Sequence, residues 1–234
     1  MSLLLSGGMN LSGGIALSGG SGGGGSWATI NPSTASSQLT VSGNELSISG
    51  DLSSSTGFAM STGAKTVLST GSYSFEVVVD RTGGTDPYFY AGIAGLQNFQ
   101  NSVWPINNQS GFNLGYGWGF GPGSPSPRLW AFDSVAQAFW DPTTYVSDNN
   151  VLGFVVDFTN SATGVNLGFY LNGTLITAYD TNFTSVPGGQ VGIILGWRFT
   201  SYNSPTTGSK ITLRTDPSTF SYGGNYTNQN GWSS

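Results

Sequence analysis

From Trp27 onward, apolar and polar residues alternate in short segments separated by Gly, Pro, Asn and Ser, the pattern of strands with one buried and one wet face. Leu39-Thr40-Val41 and Glu45-Leu46-Ser47-Ile48 flank Ser42-Gly43-Asn44 and predict a hairpin. Further strands are predicted over Tyr73–Asp80, Tyr88–Ala94, Phe112–Phe120, Leu152–Phe158, Asn166–Leu171, Val191–Trp197 and Lys210–Arg214. The sharpest local signal is Leu167 to Ile176, where Asn172-Gly173 supplies the two positive-φ positions of a type I′ turn. Only Ser134–Trp140 suggests a helical turn. The expectation is an all-β, antiparallel, two-sheet domain.

The first 26 residues break this pattern. Leu5-Ser6-Gly7-Gly8, Leu11-Ser12-Gly13-Gly14 and Leu17-Ser18-Gly19-Gly20 recur every six residues before Ser21–Ser26 becomes a glycine-rich linker. A period of six places Leu5, Leu11 and Leu17 along one side of either an extended strand or a helix of three residues per turn. Nothing local covers those leucines. They are the candidate assembly residues, and the expected partner is another protein subunit or a sister copy, making the chain a homo-oligomer or part of a larger complex. The division is therefore a glycine-rich extended arm at 1–26 and a sandwich at 27–234.

Composition narrows the chemistry. The chain has 14 Phe, 10 Tyr and 7 Trp, enough to build a core, but only 7% charged residues, so its polar surface must come from Ser, Thr, Asn, Gln and Gly. Six Lys plus Arg against eleven Asp plus Glu leave a net charge of −5, which offers phosphate no basic groove and excludes nucleic acid as an expected partner. There is no Cys and no His, which removes disulfides, thiolate chemistry, sulfur metal sites and the commonest general base. No cofactor is expected. No run reaches the ~20 apolar residues of a membrane helix, and the glycine-interrupted start, without a basic region, reads poorly as a signal peptide. Asn10, Asn108, Asn172, Asn182 and Asn225 head Asn-x-Ser/Thr triplets, which a chain so rich in these residues produces by chance.

The order of segments resembles the SPRY domain, a concanavalin-like sandwich of two antiparallel sheets. Gly71-Ser72-Tyr73-Ser74-Phe75-Glu76-Val77 is similar to the family's aromatic strand, and Tyr90-Ala91-Gly92-Ile93-Ala94 to its short Val-Gly-Ile-Ala strand. The stretch around Tyr116 follows, then Asn150 to Phe158, which lacks the family's leading Gly-Asp pair. Gly168-Phe169-Tyr170-Leu171-Asn172-Gly173 resembles the family's Phe-Tyr-Leu-Asn-Gly hairpin, and Ile211-Thr212-Leu213 with Phe220-Ser221-Tyr222 its closing strand and aromatic pair. The resemblance spans about 69–222 and implies protein recognition through loops at one edge. The departures are a Gly/Pro/Ser insert at Gly119–Arg128, the segment Asp133–Asp148 and the arm.

Catalysis finds little support in the residues. A glycosidase needs two carboxyl groups across the scissile bond, yet Glu occurs only at Glu45 and Glu76 and no strand alternates acidic residues. Glu76 and Asp157 read as strand residues hydrogen-bonded near the sheet ends. Gly115-Tyr116-Gly117-Trp118-Gly119-Phe120 puts three rings on one strand face, either inward as core or outward as a platform for a sugar or a partner. Trp130, Trp140, Trp197 and Tyr202 pose the same choice, and with Trp118 they are the candidate ligand-binding residues. The expectation is a non-enzymatic structural or binding subunit of a larger assembly, such as a phage or virus virion, at the particle or an extracellular surface. In it the arm anchors, and the sandwich faces outward toward a host-surface glycan or protein. The alternatives are a carbohydrate-binding adhesin and, less favoured by the residues, a glycoside hydrolase.

Overall fold

The computed structural model describes residues 26–49, 56–66, 71–80, 88–96, 99, 113–121, 124–132, 137–140, 149–158, 165–180, 189–198, 208–226 and 230–234. The strands in chain order are β1 (Leu39–Ser42), β2 (Glu45–Ile48), β3 (Thr56–Met60), β4 (Lys65–Thr66), β5 (Ser72–Asp80), β6 (Tyr88–Gly95) and β7 (Asn113–Gly121). They continue as β8 (Ser124–Phe132), β9 (Gln137–Trp140), β10 (Val151–Asp157), β11 (Asn166–Leu171), β12 (Thr174–Asp180), β13 (Gln190–Arg198) and β14 (Lys210–Arg214). Among the described residues there is no α-helix, only three short 3-10 turns. The strands form two seven-stranded sheets, β1-β2-β14-β5-β10-β11-β12 and β3-β13-β6-β7-β8-β9 with β4 added beside β13. Every strand pair is antiparallel, so the expected two-sheet sandwich is the observed fold.

Alternation decides which side chains enter the core. Phe75, Val77 and Val79 of β5 are buried in it with Leu152, Phe154 and Val156 of β10 and Leu167 and Phe169 of β11. Phe75, Phe154 and Phe169 stand opposite one another across three strands, with ring centroids 4.7 and 5.7 Å apart. In the second sheet the described residues of β6 and β13 from Phe89 to Ala94 and Val191 to Trp197 are buried on both faces, as their nearly continuous apolar runs require. The Asn172-Gly173 turn has φ 48° and 76°, and Leu171 pairs Thr174, the two-residue hairpin its sequence predicts.

One sequence expectation is corrected. Ser134–Trp140 contributes strand β9 over Gln137–Trp140 instead of a helical turn. Its four residues complete a ladder against Leu129–Phe132, a tertiary gain that overrides local preference. The Gly119–Arg128 insert is largely strand, because β8 begins at Ser124 and pairs β7 along its length. Pro125 and Pro127 are tolerated there: they lie two residues apart, so their missing N–H groups fall on one side, and β9 pairs β8 only from Leu129 onward.

Candidate functional site

Of the five aromatics that the sequence nominates, Trp197 alone has its side chain among the described residues. Trp197 is fully buried on β13, edge-on to Phe89 at 6.4 Å, and is therefore core and not a ligand contact. Its strand lies between β3 and β6, where Trp197 stands opposite Gly57 and Phe89. Trp118, Trp130 and Trp140 occupy β7, β8 and β9 opposite Pro127, Phe139 and Leu129, with only their backbones described. Tyr202, Leu5, Leu11 and Leu17 lie outside the described residues.

The most concentrated polar chemistry surrounds Glu76, which sequence reasoning assigned to a strand end. It lies inside β5 with no exposed surface. The Glu76 carboxylate accepts from the Ser221 and Tyr222 backbone N–H groups at 2.7 and 2.9 Å, the Tyr226 hydroxyl at 2.7 Å and the Arg214 guanidinium at 3.3 Å. Burial first, then the hydrogen bond to Glu76 and its negative charge, push the Tyr226 phenol far above its ordinary range. With each oxygen already accepting two donors, Glu76 has neither solvent access nor a free direction for proton transfer. Its work is to hold down the chain that follows β14.

That chain, Asp216–Tyr226, is a strap across the outer face of the first sheet. Arg214, Glu76, Gly153, Tyr170 and Leu175 form one row across β14, β5, β10, β11 and β12. Tyr226 lies over Gly153, where any Cβ would run into its ring, and packs edge-on against Tyr170 at 4.9 Å. Phe220 and Tyr222 pack on the same small cluster. Asn225 donates to the Gly173 carbonyl at 3.0 Å, tying the strap to the β11–β12 turn. Phe220-Ser221-Tyr222 was legible as a closing aromatic pair, whereas the carboxylate beneath it was not, because its partners are 138 to 150 residues away in the chain.

Beside the strap the outer face is open. Val155, Asp157, Asn166, Gly168, Tyr170 and Leu175 line a depression of about 160 Å³ on β10, β11 and β12. Its floor is apolar, Gly168 leaves it flat, and Leu175 at its rim is 50% exposed. Asp157 and Asn166 stand opposite each other at one side. Among the described residues no three Asp, Glu, His or Cys side chains come together as a metal cluster.

Residues 26–28 and 230–234 meet at one end of the sandwich. Trp27 pairs Ser233, Gly231 pairs Ser74 at the start of β5, and the Ser26 carbonyl accepts from the Ser234 N–H at 2.8 Å. Trp232 is buried among Tyr73, Phe75 and Phe158 and donates its indole N–H to the Gly63 carbonyl at 2.7 Å. Lys65 stacks over the Tyr73 and Trp232 rings and donates to the Ser233 carbonyl at 2.7 Å, which joins the second sheet to the same end. Residues 1–25 therefore join the sandwich at this end. By register, β5, β7, β9 and β13 all run away from it, finishing at Asp80, Gly121, Trp140 and Arg198. β5, β7 and β13 finish at the opposite end, whereas β9 stops midway, level with Leu129.

No family profile matches the chain, and no curated protein sequence does. Solved structures do. A human SPRY domain matches with TM-score 0.51 and 15% identity over 76% of this chain and 94% of that domain. Peanut lectin with a nine-residue peptide matches with TM-score 0.50 and 10% identity over 80% of this chain and 90% of the lectin. A glycoside hydrolase family protein from Mycobacterium thermorestibile matches with TM-score 0.46 and 8% identity over 75% of this chain and 77% of its own. The fold of this chain is the concanavalin-like sandwich of SPRY domains and lectins.

Proposed function

We propose that the chain is a non-enzymatic binding subunit of a larger assembly, of the kind that decorates a phage or virus particle, with the arm as anchor and the far end of the sandwich as its contact surface. The observation that carries this reading is the polarity of the fold. The arm joins where Ser26 and Ser234 are clasped, and strands β5, β7 and β13 finish at the other end, where the connections that follow them begin. A subunit held by its arm would present those connections outward. The one fully buried carboxylate among the described residues, Glu76, is saturated by structural donors, and this supports binding over hydrolysis. A surface built from neutral polar residues, without Cys or His, suits a particle exposed to its surroundings.

The test is the solution mass, by light scattering, of the full chain beside one shortened to begin at Gly25, which keeps the Ser26 contacts. The expected result is an oligomer that becomes monomeric on shortening. Two monomers would overturn the self-assembling reading and direct attention to glycan-array binding by the sandwich alone.

A further inference from the structure

We infer that the depression on β10, β11 and β12 receives the arm of a neighbouring copy, with one leucine of a Leu-Ser-Gly-Gly unit seated against Leu175 and Gly168. This rests on the assembly reading above and names the surface through which it works. Three observations converge on that occupant. The first is size and chemistry: the depression holds about 160 Å³ over an apolar floor, and apolar cavities of ~150 Å³ take a guest the size of benzene. One aliphatic side chain fits, and a helix does not. Asn166 at the side offers its amide oxygen to a backbone N–H flanking the inserted side chain.

The second observation is charge. Residues 1–26 contain no Asp, Glu, Lys or Arg, so the arm can enter an apolar depression without desolvating an ion. The third is stoichiometry. Successive leucines of the repeat are six residues apart, about 20 Å when extended, whereas the depression spans three strands, roughly 10 Å from first to last. One depression holds one leucine, and an arm with Leu5, Leu11 and Leu17 needs several. Copies of this same domain supply them. The nine residues from Leu17 to Ser26 reach about 30 Å, and Leu11 and Leu5 reach correspondingly farther, outward to other subunits.

The absence of native cysteine makes disulfide trapping clean. Full-length Leu11→Cys is mixed with a size-tagged full-length Leu175→Cys under mild oxidation. The comparison partner is Ser42→Cys, at an exposed position on the far edge strand β1. The expected result is a mixed disulfide with Leu175→Cys formed at least tenfold faster than with Ser42→Cys. In the double variant, bonds should form between chains. Separately, Leu175→Asp should weaken association at least tenfold by light scattering while leaving the fold intact, since the side chain is half exposed. Equal trapping rates at the two positions, or a bond closed within one chain, would overturn the proposal. If the full chain is oligomeric yet trapping fails, this docking surface falls and the assembly reading stands. If the full chain is monomeric throughout, both fall.

Discussion

Replacing Glu76 with Gln is the most discriminating test of how the strap is held. The substitution keeps the shape but replaces one acceptor oxygen with an NH2 donor. One oxygen accepts from the Tyr222 N–H and the Tyr226 hydroxyl, and the other from the Ser221 N–H and Arg214. With its NH2 turned toward Arg214 and the Ser221 N–H, two donors lose their acceptor; with its NH2 turned the other way, the Tyr222 N–H loses its acceptor while the Tyr226 hydroxyl can rotate to accept from the amide. Breaking a hydrogen-bonded ion pair by removing its buried charge costs about 3–5 kcal/mol, a fifth or more of the ~5–15 kcal/mol that stabilises an ordinary domain. For a domain of this size that corresponds to a fall of about 6–20 °C in melting temperature and about 1–2 M in urea midpoint. Urea unfolding followed by tryptophan fluorescence reads it, with Ser218→Ala as the control: that residue is exposed on the same strap, and loss of its hydroxyl should cost ~0.5 kcal/mol or less. A Glu76→Gln loss below about 1 kcal/mol would refute the reasoning, because it would mean that the strap does not depend on the charge.

Three further outcomes follow from the same geometry. The Tyr226 phenol is raised in the fold relative to the unfolded chain, so the native state keeps a proton that the unfolded state releases above about pH 10. Stability is therefore complete below pH 10 and falls as pH rises beyond it, by ~1.4 kcal/mol per unit for this group; urea titrations between pH 9 and 11 should show a shallower slope in Tyr226→Phe. Gly153→Ala should destabilise by about 1–3 kcal/mol through overpacking against the Tyr226 ring, and coupling this change with Tyr226→Ala should recover part of the loss in a double-mutant cycle. Trp232→Ala should cost about 3–5 kcal/mol as its contacts with Tyr73, Phe75 and Phe158 are lost, read as an earlier thermal transition.

What could be read from the sequence was what local periodicity encodes. Phe75, Phe154 and Phe169 fell on predicted strands because each sits in a short run of β-branched and aromatic residues bounded by polar and turn residues, and Asn172-Gly173 fixed its hairpin because few other pairs adopt positive φ at both positions. What could not be read depends on partners distant in the chain. β8 was not among the predicted strands, since Gly119–Arg128 reads as a Gly/Pro/Ser insert, and the short reach of β9 is what makes Pro125 and Pro127 acceptable in it. Glu76 looked like an ordinary strand residue because nothing near it in sequence reveals that Ser221, Tyr222 and Tyr226 will close over it. Trp197 looked like a candidate contact because an aromatic at a strand end reads the same whether the strand is central or at an edge. Long-range pairing also supplies the functional argument: the clasp of Ser26 with Ser234 spans 208 positions, yet it determines at which end of the sandwich the arm joins. A repeat that reads as linker by composition thereby gains a fixed origin, and a fixed origin sets which surfaces Leu5, Leu11 and Leu17 can reach.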